Sequence, residues 1–398
     1  MLLFFLLRHR KSDRDYVNPF VGTDGYGNIY PGSQIPFGGI QISPDTDNHF
    51  YDAASGYKYS HPTIMGFSLS HLSGTGIPDL GDFLFVPGTG EIKSIPGTHE
   101  NPDEGYRSRY SHEKEWASPG YYGVELIDYG VKAEMTSACR SGIFRFTYPA
   151  SDKAFILVDL NHTLWQSCPW SNLRQLNDST IVGYKLVKGW GPERHIYFAA
   201  TFSRKLEHFY ILQDGKPVIY NTKRFRSHKE AWGEKLMACF TFSTHTGEEV
   251  YVKTAISGVS TEGALANINE LDGLTFESVK SRAEELWEKE LGKYHVAGDL
   301  KTKRTFYTSA YHAALHPFVF QDADGRYREL DKNIGRAEGF TNYTTFSLWD
   351  TYRAFHPLLN LVNQPLQANI ANSMLAHYDR SEERRVGKEC RSRWSPYH

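Results

Sequence analysis

Between Phe83 and Ser257 the apolar residues fall in short, evenly scattered runs. Phe83–Val86, Tyr122–Asp128, Val131–Ser137 and Ile143–Tyr148 come first. Phe155–Leu160, Ile196–Phe202, Met237–Phe242 and Val250–Ile256 follow. Each is rich in Val, Ile, Phe or Tyr and bounded by Gly, Pro, Asn or Asp, which is the pattern of β-strands. Strands in series, with no helical period between them, predict a β-sandwich over 16–260. The period then changes. Phe276, Val279, Ala283, Leu286 and Leu291 recur at helical intervals, with Thr275 as N-cap and Glu277 in the first turn. Leu300–Leu315 and Pro365–Tyr378 also read as helices, Pro365 suiting the first helical position. The expected order is therefore a sandwich, a helical linker over 261–298 and further helices over 299–379.

Composition narrows the partners. The net charge is −2. Nucleic-acid binders favour a basic face, so none is expected as a partner. No stretch approaches the roughly 20 apolar residues of a membrane span. Apart from Cys390, Cys139, Cys168 and Cys239 have no C-x-x-C spacing, and free thiols are expected.

Both ends stand apart. Met1–Asp15 begins with a short apolar run followed by RHRKSDRD, which reads as a signal remnant or a mis-called start. Arg380–His398 (RSEERRVGKECRSRWSPYH) matches, residue for residue, one reading frame of a common short-read sequencing adaptor. It is read as an assembly artefact that should pack against nothing. It carries more basic than acidic residues, so the remainder is more acidic than the whole.

Chemistry concentrates near the start. Eleven glycines fall between Gly22 and Gly81, many beside Thr, Ser, Asp or His. Glycine lets backbone approach a ligand closely, and hydroxyls, carboxylates and aromatic rings beside it suit a sugar. Gly22–Gly27 (GTDGYG) and His71–Gly76 (HLSGTG) are the candidate loops. A phosphate-loop reading fails because no Lys follows the second glycine and no strand-to-helix context surrounds it. Later carboxylates are Asp322, Asp324, Glu329, Asp331, Glu338 and Asp350. Asp350 stands out beside Trp349, with Arg353 three residues on as a helix-face partner. QDADGRY (321–327) lacks the spacing of a calcium loop and reads as a hairpin turn on Asp324–Gly325. His312 and His316 read as core or cap histidines, since Glu is missing between them and Pro317 follows.

The blocks VNPFVGTDG, PGSQIPFGGIQISPDT, GYKYS, GFSLSHLSGTG and LGDFLFVP, in that order, resemble the N-terminal domain of glycoside hydrolase family 92, the calcium-dependent, inverting exo-α-mannosidases. FQDADGRYREL and FTNYTTFSLWDTYRAFHPLLNLV resemble the start of that family's helical catalytic domain. The resemblance covers about Tyr16 to Asp379. It implies a galactose-mutarotase-like sandwich, a helical linker and the truncated start of an (α/α)6 barrel. Three or four helices of such a barrel would leave apolar stripes without partners. It implies mannose-containing glycans as substrate, Ca2+ as cofactor, and a periplasmic, outer-membrane-associated or secreted location. It also implies a terminal-mannose pocket to which Trp349, Asp350 and Arg353 contribute, with Gly22, Thr23, Asp24, His71, Ser73 and Thr75 reaching across from the sandwich. The catalytic acid, the base and most calcium ligands are expected beyond Asp379, which leaves the chain as written inactive. GTDGYG departs from the family's GTGGHG-like form at Asp24 and Tyr26, so the sugar contacts of that loop are in doubt. A non-catalytic carbohydrate-binding module and a glycoside phosphorylase remain as alternatives. The first would bind sugar without turnover; the second would need a basic phosphate pocket.

Overall fold

A computed structural model describes residues 12–49, 53–191, 193–219 and 229–380. The adaptor-like 381–398 and the first eleven residues lie outside the described residues. Two antiparallel sheets form the body of the N-terminal part. The seven-stranded sheet runs in the order Ser43–Asp45, Gly66–Ser68, Leu84–Thr89, Ser151–Asp159, Leu236–Thr244, His208–Gln213 and Lys216–Pro217. The nine-stranded sheet runs Glu230–Gly233, Ser167–Asn177, Thr180–Lys188, Arg194–Phe202, Glu248–Ser257, Ser141–Tyr148, Val131–Ser137, Tyr121–Leu126 and Glu115–Ser118. Their inner faces meet in one apolar core. Phe85 lies 5.1 Å from Phe144 across the gap, and Phe83 lies 4.4 Å from Phe198. This is the expected sandwich.

Helices follow. α1 spans Thr261–Ile268, α2 Phe276–Leu291, α3 Leu300–Ala313, α4 Leu348–Thr351, α5 Phe355–Val362 and α6 Gln364–Arg380. Thr275 caps α2 by accepting from the Ser278 N–H. Its buried stripe is Phe276, Val279, Ala283, Trp287 and Leu291. Trp287 replaces the expected Leu286, which is 42% exposed. The reason is angular, because Trp287 stands four residues after Ala283 and four before Leu291, on one face. Its indole N–H donates to the Gln34 carbonyl at 2.6 Å, so α2 is bonded to the sandwich. Tyr30 and Phe37 of the sandwich share one buried cluster with Trp287, Leu291, Tyr311 and Ile370. The helical part thus closes over the sandwich instead of trailing from it.

Four local expectations change. Gly325 has φ +84° and its N–H bonds the Asp322 carbonyl at 2.9 Å, so the turn exists. However, the paired strands are Arg326–Arg328 and Ile334–Arg336, and the hairpin loop is the segment after Arg328. α3 stops at Ala313, short of the expected Leu315. Pro365 is the second residue of α6, where its missing N–H is still harmless. Asp350 and Arg353 do not pair. α4 ends at Thr351, so the two never share a helix face. Asp350 instead accepts from Ser347 Oγ at 2.5 Å, and Arg353 donates to the Tyr352 hydroxyl at 2.9 Å. Cys139, Cys168 and Cys239 are free thiols. No helix among the described residues is long and apolar enough to cross a membrane.

Candidate functional site

The first glycine loop closes on itself. Gly22 and Gly25 take φ +81° and +59°, and Ile29 N–H returns to the Gly22 carbonyl at 3.1 Å. A side chain at Gly27 would sit 2.2 Å from the Gly22 carbonyl oxygen, so only glycine fits there. Thr23 is buried, and its hydroxyl donates to the Phe20 carbonyl at 2.8 Å. Asp24 is exposed and accepts from Gly25 N–H at 2.7 Å and Ser60 Oγ at 3.1 Å. Tyr26 points fully outward.

The second loop is tied to the first, since Gly74 N–H donates to the Asn28 carbonyl at 2.7 Å. That bond ties the segment after Gly27 to the His71–Gly76 loop; Gly22, Asp24, Ser73 and Thr75 stay at least partly exposed, while Thr23 is buried. Ser73 is half-buried, and Thr75 Oγ1 donates to the Ile77 carbonyl at 3.1 Å. His71 is placed otherwise. It is fully buried, with Nε2 2.7 Å from Asp45 Oδ1 and Nδ1 2.8 Å from the Gln41 carbonyl. Asp45 also receives His162 Nε2 on Oδ2 at 2.7 Å. Burial pushes the Asp45 carboxyl up, but the two imidazoles outweigh it and hold the group well below the usual carboxylate range. His71 thus anchors the loop from beneath, and its ring is not available to a sugar.

The sequence reading missed Tyr59. Its N–H donates to the Thr23 carbonyl at 2.9 Å, and its ring stacks on His112 at 3.7 Å. The GYKYS block was its only signal. Also unread was an open cavity of 750 Å³ on the sandwich. Asn48, His49, Tyr106, Asp159, His162 and Trp165 line it. Burial pushes the Asp159 carboxyl up, and the Tyr106 hydroxyl donates to it at 3.0 Å.

In the helical part Trp349 is 81% exposed, which excludes a packed core role for its ring among the described residues. Asp322 is buried, pushed up by burial, and takes hydrogen bonds from Ser257 Oγ at 2.8 Å and Asn267 Nδ2 at 3.0 Å. It ties the sandwich to α1 and acts as a joint. His312 Nε2 and both ring nitrogens of His316 are buried without hydrogen-bond partners among the described residues, and burial lowers both rings to about 4.

Among the described residues, the one group of three or more His, Cys, Asp or Glu with suitable geometry for a metal is Asp47, His61 and His99. Calcium takes about 6–8 oxygens, so two imidazoles and one carboxylate do not fit it.

Comparison with known proteins agrees with this architecture. The glycosyl hydrolase family 92 N-terminal domain model matches residues 16–257, and the family's catalytic domain model matches residues 263–393. The two matches, end to end, make the chain a glycoside hydrolase by descent. More narrowly, it belongs to glycosyl hydrolase family 92. The family GH92 α-mannosidase BT3965 from Bacteroides thetaiotaomicron, solved in complex with mannoimidazole, is 75% identical, covers 93% of this chain and superposes with a TM-score of 0.92. The family GH92 inverting mannosidase BT2199 from the same organism is 25% identical over 94% of this chain, with a TM-score of 0.80. An uncharacterized secreted glycosidase of Arthroderma benhamiae is 25% identical over 76% of this chain. The chain spans 49% of each of the two solved structures and 41% of the fungal relative.

Proposed function

We propose that this chain is the N-terminal part of an inverting exo-α-mannosidase that trims terminal α-linked mannose from glycans. The observation that carries the reading is the 75% identity, along 93% of this chain, to an α-mannosidase solved with mannoimidazole. The loops at Gly22–Gly27 and His71–Gly76 agree with it, since Gly22, Asp24, Ser73 and Thr75 stay at least partly exposed there. In this reading the exposed Trp349 supplies a flat wall for the terminal sugar. Asp350 accepts hydrogen bonds from its hydroxyls, and Arg353 lies alongside.

Inverting cleavage needs an acid for the leaving oxygen and a base for water, about 6.5–9.5 Å apart. We assign both to the half of the relatives' length that this chain does not span. The calcium expected for the family belongs there too, because the described residues offer it no oxygen cage. The chain as written is then inactive on mannosides, and the finished protein works outside the cytoplasm. The barrel of six helix pairs is likewise part of this proposal.

The test is mannose release from α-mannobiosides by the complete gene product and by this chain, each with calcium and with chelator. Calcium-dependent turnover by the complete product and none by this chain is expected. Turnover by this chain alone would show that the acid and base lie within it. Sugar binding without turnover by the complete product would favour a binding module, and phosphate-dependent cleavage would favour a phosphorylase.

A further inference from the structure

A nitrogen-and-oxygen cluster lies outside the proposed sugar surface. Asp47 follows the strand Ser43–Asp45, His61 precedes the strand Thr63–Ile64, and His99 lies in the arm leading to the strand Ser108–Arg109. One donor atom from each lies within 4.8 Å of the others. His99 Nε2 is 3.4 Å from Asp47 Oδ2, is buried, and makes no hydrogen bond. The His61 and His99 rings lie 4.3 Å apart, tilted by 51°.

The surroundings suit metal-bound imidazoles. Such a ring must keep its second nitrogen protonated and held by an acceptor. Thr46 Oγ1 lies 3.0 Å from His61 Nδ1, and Thr63 Oγ1 lies 2.9 Å from His99 Nδ1. Asp47 is aimed by its neighbours. Its Oδ1 accepts from the N–H groups of Asn48 at 2.7 Å and His49 at 3.0 Å, and from the His49 ring. One feature opposes binding. An Arg107 guanidinium nitrogen lies 3.0 Å from His99 Nδ1 and 2.8 Å from Thr63 Oγ1. With that donor facing Nδ1, the metal-free ring carries its proton on Nε2. Binding requires the proton to move to Nδ1, where Thr63 accepts it. It also requires the Arg107 nitrogen to turn from that ring to the Thr46 carbonyl, which it already meets at 3.3 Å.

We propose that Asp47, His61 and His99 form a site for a borderline divalent transition metal, zinc above all. The donor set decides the class. Two imidazoles and one carboxylate are a zinc set with a fourth position for water. The ion would clasp three separate segments of the sandwich. Asn48, His49 and Pro96 line the 750 Å³ cavity, so it would also fix one wall of that opening. The site is independent of the mannosidase reading and does not contain that enzyme's calcium.

The test uses the full chain, stripped with chelator and dialysed. Zinc and calcium are titrated separately by calorimetry, metal content is measured by mass spectrometry, and cobalt(II) replaces zinc for visible spectroscopy. One zinc per chain is expected, with the intense visible bands of a low-coordinate cobalt site and no displacement by excess calcium. Thr63→Val removes the outer acceptor, together with the hydroxyl that Arg107 meets, and should weaken binding by about 10–100-fold. His61→Ala and His99→Ala should weaken it further, while His245→Ala, on an exposed ring elsewhere, should not. Asp47→Asn serves if a histidine variant fails to fold. No stoichiometric zinc, displacement by calcium, or equal binding by wild type and the ligand variants would each overturn the proposal.

Discussion

Asp45 is the most exacting place to test how the His71–Gly76 loop is anchored. Its carboxylate is fully buried and bonds His71 through one oxygen and His162 through the other. Asp45→Asn keeps the shape but turns one acceptor into a donor. His162 can ease this by moving its proton to the far ring nitrogen and accepting from the new amide. His71 already keeps a proton on Nδ1, which faces the Gln41 carbonyl at 2.8 Å, so its neutral ring can accept from the amide through Nε2. Removing the acceptor that two buried rings share costs about 1–3 kcal/mol for each group left unsatisfied. Asp45→Asn should fall at the low end of that range and Asp45→Ala, which strands both rings, at the high end. For a domain of this size the loss corresponds to a fall in Tm on the order of 10 °C. Thermal and urea unfolding at pH 7 measure it, and hydrogen exchange in His71–Gly76 should rise in parallel. The sign with pH is also set. The carboxyl is held below its ordinary value, so its contribution is complete above about pH 4. It is lost only as pH falls through the depressed value. A loss under about 1 kcal/mol for both variants, or Ala milder than Asn, would refute the anchoring role.

Three further outcomes are expected. His312 and His316 titrate near 4 in the fold. The unfolded chain takes up protons first, so stability should fall from about pH 6.5 down to about pH 4 and change little from this cause outside that window. At pH 5.5 the loss is about 1.4 kcal/mol per ring at most. Urea unfolding across pH, on wild type and a His312→Gln/His316→Gln double variant, checks it, and an unchanged slope in the variant would count against it. Trp287→Ala should cost about 3–5 kcal/mol, as for other buried Trp truncations. Denaturant unfolding followed by far-UV circular dichroism would show loss of the joint between sandwich and helices, and a wild-type midpoint would contradict it. In the complete enzyme Asp350→Ala should lower kcat/KM by about 1.5–3 kcal/mol for each lost charged hydrogen bond. An unimpaired variant would return Asp350 to its local hydrogen bond with Ser347.

The legible parts of the sequence were those where one physical term dominates. Val131–Ser137 alternates in sequence and sets Val131, Ala133 and Met135 into the core between the sheets, so its ends were read as they stand. α2 carries a cap and a long stripe, and only Trp287 was mistaken for its neighbour. Ser167–Asn177 was not legible, because Ser, Asn, Arg and Gln dominate it and its pairing partners supply the order. α1 was missed because its buried side is Gly263, Ala264, Asn267 and Ile268, too small a stripe to register. Gly263 is there because Asp322 crowds it, a long-range fact that no window of sequence contains. The glycine loops were legible as loops. That the His71 ring turns inward was not, since its partners Gln41 and Asp45 lie about thirty positions upstream. The Asp47, His61 and His99 cluster has no fixed spacing, so only folding brings it together.

The shared core of Tyr30 and Phe37 with Trp287, Leu291 and Tyr311 bears on how this architecture can be cut and reused. A sandwich severed near Ser260 would lose the indole bonded to Gln34 and bare the rings that α2 and α3 cover. A transplant that keeps its solubility must therefore carry both helices with it. The same constraint holds for natural gene rearrangement, in which the sandwich and the opening helices would have to travel as a single inherited piece.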